Sequence, residues 1–243
     1  MRTADLGPLN CTIIDPARDA GPKRLVILSH GFGAPGGDLV PLANELIHLD
    51  PDLAKDTRWI FPAAPLSLDS RGMYGGRAWW MIDLEARIAA IERGEIETFR
   101  NDYPEGMAEA SDALFEVVEA ALEQSSLEPK NLIIGGFSQG SMVSTDVALR
   151  MEQPPAALAV MSGTLLCEDR WKELAGNQEK FPVLQTHGYY DPILPYQCAE
   201  WLKAFFEDAG YPVDFRPFAG QHEIPYTALE GLVKLIGESG AGD

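Results

Sequence analysis

A run of consecutive apolar residues, LVILS at 25–29, is the feature that most limits the fold of this chain. A half-exposed strand alternates apolar with polar, whereas a strand apolar at every position must be covered on both faces. Similar runs recur at 58–61, 131–137 (NLIIGGF) and 156–161, and further strand candidates lie at 182–186 and 213–217. Between them come stretches with helical spacing at 39–49, 105–123, 139–151, 195–208 and 225–236. The longest places Met107, Ala110, Leu114, Val117, Val118 and Ala121 on one face. Strand and helix in alternation predict an α/β fold, with a mostly parallel central sheet flanked by helices on both faces. No internal repeat or low-complexity linker divides the 243 residues, so one domain is expected.

Residues 62–104 interrupt this rhythm. They run from a Gly-rich loop holding two adjacent tryptophans, Trp79 and Trp80, into an acidic, partly helical segment. Long excursions between sheet elements tend to carry function, and this one reads as a lid-like or pocket-wall insertion.

Charge excludes some partners. Nineteen Lys and Arg stand against 37 Asp and Glu, a formal net charge of −18. Nucleic acid, which requires clustered cations, is excluded as a partner, and adsorption to anionic lipid is disfavoured. No stretch is apolar for long enough to cross a bilayer, so integral membrane association is not expected. Cys11, Cys167 and Cys198 are odd in number and widely spaced, with no CxxC pair. With no secretory signal visible at the N-terminus, these features predict a reduced, cytoplasmic protein.

The sharpest motif is Gly136-Phe137-Ser138-Gln139-Gly140, a GxSxG between an apolar strand and a helix. Such a turn exposes the serine Oγ at the end of the sheet, and glycines at 136 and 140 let the backbone pass closely. The alternative is a tight turn that merely contains a serine. A hydroxyl nucleophile needs a base, and the chain has four histidines. His48 falls on an amphipathic helix and reads as a surface or packing residue. In α/β-hydrolases the order is serine, acid, histidine, which selects His222, in the loop after the last strand, ahead of His187. For the acid, Asp191 sits just after a strand end, where catalytic groups on parallel sheets collect, while Asp169 lies in a polar helical stretch. The predicted triad is Ser138, Asp191 and His222. The predicted oxyanion hole is formed by the N–H of Gln139 and that of Phe32, in the early turn HGFG. Four scattered histidines without HExxH offer no metal site, and neither metal nor organic cofactor is expected.

These pieces, LSHGFG at 28–33, FPAAP at 61–65, RAWWMID at 77–83, GFSQG at 136–140, THGYYDPILPY at 186–196 and GQHEIP at 220–225, are collinear and span nearly the whole chain. Together they resemble the phospholipase/carboxylesterase family, which includes the acyl-protein thioesterases. The resemblance implies an α/β-hydrolase fold with a shallow acyl groove and a serine esterase acting on small-molecule or lipid esters. Protein thioesters are the alternative substrate, and a catalytically silent binding module is a remoter reading. It also implies that His30 holds the oxyanion loop, that His187 belongs to the turn presenting Asp191, and that Trp79 and Trp80 contact substrate. The segment after Trp80, about 83–104, is longer and more acidic than expected for acyl-protein thioesterases. It is expected to cap the groove and restrict acyl length.

Overall fold

A computed structural model describes residues 1–17 and 21–239. The elements follow in chain order as β1 (Arg2–Leu6), β2 (Leu9–Ile14), β3 (Arg24–Ser29), α1 (Val40–Leu49), α2 (Leu53–Asp56) and β4 (Thr57–Pro62). The excursion after β4 holds a two-stranded ribbon of β5 (Leu66–Ser67) and β6 (Arg77–Ala78), then α3 (Leu84–Glu92) and a short helical turn at Ile96–Phe99. Next come α4 (Met107–Ser125), β7 (Leu132–Phe137), α5 (Gln139–Arg150), β8 (Ala157–Met161) and α6 (Glu168–Asn177). The chain continues through β9 (Val183–Gly188), α7 (Tyr196–Asp208), β10 (Val213–Phe218) and α8 (Tyr226–Glu238).

Eight strands form one sheet in the order β1-β2-β4-β3-β7-β8-β9-β10. The pairs from β4 to β10 are parallel, as the doubly apolar runs required. The N-terminal hairpin β1–β2 joins β4 antiparallel, an addition that the search for continuous apolar runs missed. Its cue is subtler: Leu9, Cys11 and Ile13 alternate inward, after a two-residue turn in which Gly7 takes φ +54° ahead of Pro8.

Each central strand feeds two cores. Leu25, Ile27, Ile134 and Val160 face α4, α5, α6 and α7, whereas Val26, Leu28, Ile133 and Ala159 face α1 and α8. The connection from β3 leads outward on one side to β4, and β7 lies on the other side of β3. This reversal opens a crevice at the carboxyl ends of β3 and β7, the position where open α/β sheets bind ligands.

Candidate active site

Ser138 occupies that crevice, between β7 and α5, with φ +52° and ψ −122°. A serine is strained there, and the strain persists because the surroundings admit no other path. A Cβ on Gly140 would overlap the Ser29 carbonyl at the end of β3, and one on Gly136 would collide with the same carbonyl. The Ser138 N–H is fixed to the Met161 carbonyl at 2.8 Å. Its own carbonyl accepts from the Ser141 N–H at 3.0 Å and from Ser141 Oγ at 2.7 Å. Because α5 begins at Gln139, its N-terminal N–H groups and positive dipole end lie beside the Ser138 side chain.

Asp191 and His222 follow β9 and β10, the second and third strands from β7 in the sheet. Asp191 follows β9 and is buried, and both of its oxygens are occupied. Oδ1 accepts from the N–H groups of Ile193 and Leu194, each at 2.8 Å, and Oδ2 lies 2.6 Å from His222 Nδ1. Burial disfavours its charge. The hydrogen bond from His222 and those from the Leu194 and Ile193 amides outweigh burial and hold the carboxyl below its ordinary value. A carboxylate only accepts, so Nδ1 of His222 carries the proton and Nε2 is left as a base. The His222 ring packs against Phe137, with centroids 4.8 Å apart. The competing acid, Asp169, is exposed on α6, where it accepts from Asn101 Nδ2 at 2.6 Å.

Two of the remaining histidines hold turns, whereas His48 lies exposed on α1. His30 is buried, with Nδ1 donating to the Gly31 carbonyl at 2.8 Å and Nε2 accepting from the Ala64 N–H at 3.0 Å. Burial lowers its pKa, which fits this neutral tautomer. His187 lies at the end of β9, donates Nε2–H to the Leu194 carbonyl at 2.8 Å, and sits 3.4 Å from Asp191 Oδ2. Burial lowers its pKa too, so it braces the turn as a neutral ring. The turn after β3 is further clamped by hydrogen bonds from the Gly33 N–H to the Arg77 carbonyl and from the Arg77 N–H to the Ala34 carbonyl. Neither the Phe32 N–H nor the Gln139 N–H meets an acceptor among the described residues.

Ser138 and His222 border a cavity of about 210 Å³ together with Phe32, Gln139 and Met142. Leu166, Ile193 and Leu194 add apolar surface on one side, and Trp80, Ile82, Leu84, Arg87 and Pro104 bring the excursion onto the other. Of the two expected substrate contacts, only Trp80 lines this cavity. Trp79 lies 1 % exposed in the core, donating Nε1–H to the His30 carbonyl at 2.9 Å. Sequence reading also missed the Gln139 side chain, which accepts from the Trp79 N–H at 2.9 Å and donates to the Trp80 carbonyl at 2.8 Å. The residue after the serine thus ties the excursion to the elbow, and no spacing rule announces it. Among the described residues no three His, Cys, Asp or Glu side chains converge as a metal site.

Comparison with known proteins identifies the family and the fold. The family model described as Phospholipase/Carboxylesterase matches residues 10–238. The chain belongs to that family. Acyl-protein thioesterase 1 of Kluyveromyces lactis is 27 % identical, with 96 % of this chain and 98 % of the relative covered. The yeast Saccharomyces cerevisiae has an acyl-protein thioesterase 1 that is 24 % identical over 93 % of this chain and 95 % of its own. Among solved structures, esterase PE8 superposes with a TM-score of 0.78 at 27 % identity, covering 95 % of this chain and 98 % of the other. Zea mays acyl-protein thioesterase 2 shares the fold, with a TM-score of 0.65 at 20 % identity over 95 % of this chain and 99 % of its own. This phospholipase/carboxylesterase family member is accordingly a carboxylic ester hydrolase with the α/β-hydrolase fold.

Proposed function

We propose that this hydrolase cleaves carboxylic esters through a covalent acyl-enzyme formed on Ser138, with His222 as the general base and Asp191 as its orienting acid. The observation that carries the reading is the 2.6 Å contact from Asp191 Oδ2 to His222 Nδ1, on a ring bordering the same cavity as the strained serine. In the first step Ser138 Oγ attacks the acyl carbon while His222 Nε2 takes its proton. The imidazolium, stabilised by Asp191, then protonates the leaving alcohol as the tetrahedral intermediate collapses. Water repeats the sequence on the acyl-enzyme and releases the acid. The developing oxyanion is received by the N–H groups of Phe32 and Gln139, which carry no other partner among the described residues, and by the N-terminus of α5. As written, the chemistry requires neither metal nor organic cofactor.

The chain acts in this reading as one domain, in which 62–104 supplies a pocket wall. A cavity of about 210 Å³ falls below the roughly 300–1,000 Å³ common for drug-sized ligands, which favours short acyl groups. Small-molecule esters are therefore placed ahead of lipid esters, and neither nucleic acid nor integral membrane association is expected. The acyl-protein thioesterase relatives favour S-acyl protein as the second substrate, because the same machinery cleaves thioesters. Three buried, unpaired cysteines suit a reducing cytoplasm. Among the described residues no helix is long and apolar enough to cross a membrane.

The test is hydrolysis of p-nitrophenyl esters from acetyl to palmitoyl, beside Ser138→Ala and with a palmitoyl thioester in parallel. The expected outcome is a short-chain optimum, abolished by the substitution, with fluorophosphonate labelling only when Ser138 is present. A wild type that neither turns over nor labels is a silent binding module. If 84–100 caps the pocket, its deletion, or the milder Leu84→Ala, extends activity to longer chains; an unchanged profile removes the capping role.

A further inference from the structure

An acyl pocket has no use for a cation, yet Arg87 borders this one. Its side chain joins a wall otherwise made by Trp80, Ile82, Leu84 and Pro104. The Phe99 ring supports it, with Cζ 4.1 Å from the ring centroid. Nε and Nη2 are closed off from solvent and have no hydrogen-bond partner. Among the described residues no carboxylate pairs with Arg87. Burial pushes its pKa down against the opposing fields of Cys198 and Asp102, but an arginine keeps its proton at neutral pH. An unpaired, partly desolvated charge is an expense that a leucine at this position would avoid.

The surroundings indicate which side is meant to hold a counter-ion. Among the described residues no acidic side chain borders the cavity that contains Ser138. On its other side Arg87 shares a separate depression with Asp83, Asp102 and Glu105, whose charges would repel an anion. A planar fork of donors, stacked on an aromatic ring and short of acceptors, matches a carboxylate, which meets Nε and Nη2 once the side chain turns toward the cavity. Although the protein carries a net charge of −18, the potential within a cleft is set by the groups lining it.

We propose that Arg87 is an anion-recognition residue of this cavity, and that the preferred substrates are esters carrying a carboxylate close to the scissile bond. The proposal rests on the esterase reading above and narrows its substrate class. The carboxylate pairs with Arg87 during binding, while Ser138, His222 and Asp191 perform the acyl transfer unchanged.

Two ester series test it. In one, the carboxylate is on the acyl side: mono-p-nitrophenyl glutarate against the neutral isostere in which an isopropyl group replaces the carboxylate. In the other it is on the alcohol side: the butyrate ester of 4-hydroxybenzoate against that of 4-hydroxybenzamide. In at least one series, kcat/KM for the wild type is expected to favour the anion by about tenfold to a hundredfold, the scale of a charge-assisted hydrogen bond. Arg87→Leu collapses that ratio and Arg87→Lys retains part of it. A merely structural Arg87 would leave the ratio unchanged. The series that responds identifies which half of the ester bears the charge.

Glutarate binding supplies a readout that needs no turnover. Glutarate should raise the melting temperature of the wild type but not of Arg87→Leu, whose own melting temperature should already exceed that of the wild type. A wild type that prefers the neutral ester in both series, or a ratio unchanged in Arg87→Leu, overturns the proposal. So does an absence of glutarate stabilisation in the wild type. If glutarate binds through Arg87 while no ester is cleaved, the anion site stands and the hydrolase reading falls.

Discussion

The elbow helix α5 and the excursion helix α3 meet the same cavity but are held in opposite ways. Every residue of α5 from Gln139 to Leu149 is buried, including Ser141, Ser144, Thr145 and Asp146, and each of these polar side chains has a defined partner. Asp146 alone accepts from Ser111 Oγ at 2.5 Å and Trp171 Nε1 at 3.0 Å, joining α4, α5 and α6. In α3 the only buried residue is Ala90, while Leu84 and Ile88 are exposed. The excursion is held instead by local ties. Among these are the Gln139 clamp on the two tryptophans, the Asp83 side chain capping α3 at the Ala86 N–H, and the Arg100–Glu168 pair. The groups proposed to perform the reaction sit on a frame with little room to relax, whereas those proposed to meet the variable part of a substrate sit on a wall with less buried support. The two can therefore be altered separately.

Asp191→Asn should act on the frame alone and produce the largest effect, a fall of about 10⁴-fold in kcat, because the wrong imidazole tautomer would be held. The loss should be the same for every acyl length, as measured across the p-nitrophenyl series. A length-dependent loss would mean that the Asp191 loop also shapes the pocket. Gly140→Ala attacks the frame sterically. The added Cβ meets the Ser29 carbonyl, a backbone group, so stability should drop by about 3 kcal/mol or more, seen as a lower melting temperature. Gln139→Ala lies on the seam between the two regions. It leaves the Trp79 N–H and the Trp80 carbonyl buried without partners, at a cost of about 2 kcal/mol, yet keeps its own backbone N–H. The expected kinetic signature is a raised KM with a smaller change in kcat. An equal fall in both would place the tryptophans within the frame.

The same division governs what could be read from the sequence. Doubly apolar strands such as LVILS at 25–29 announce themselves, because burial on both faces leaves no polar position. The residues proposed as a triad also stood out. Ser138 lies in a motif whose glycines are demanded by close backbone contact, and Asp191 and His222 follow strand ends in the expected order. The wall was opaque. Trp79 and Trp80 are adjacent in sequence and chemically identical, so nothing separates them until Gln139 binds the backbone of both and one ring turns toward His30. Arg87 resembles any charge on an acidic helix. The signal that could have distinguished it is its spacing: three residues after Leu84 and four before Ile91, on a face that is otherwise apolar. The hairpin β1–β2 was missed for a different reason. It covers an edge, only one face of β2 is buried, and alternation over six residues is weak evidence.

Arg100→Ala should produce the smallest change in global stability and the most localised one. Its guanidinium donates to both oxygens of Glu168, at 2.9 and 2.8 Å, and lies over the Trp201 ring. About a third of the Arg100 side chain remains exposed, so solvent screening limits the pair to about 1 kcal/mol or less. Backbone hydrogen bonds from the Glu168 N–H to the Arg100 carbonyl and from the Cys167 N–H to the Asp102 carbonyl survive the substitution. The excursion should therefore stay docked at its C-terminal end while α3 and the turn at Ile96–Phe99 open more often. Hydrogen exchange should quicken across 84–100 and remain unchanged in α5, with long-chain esters gaining relative to short ones. If exchange quickens in α5 as well, the wall and the frame form one cooperative unit. Substrate choice could then not be changed without disturbing the elbow.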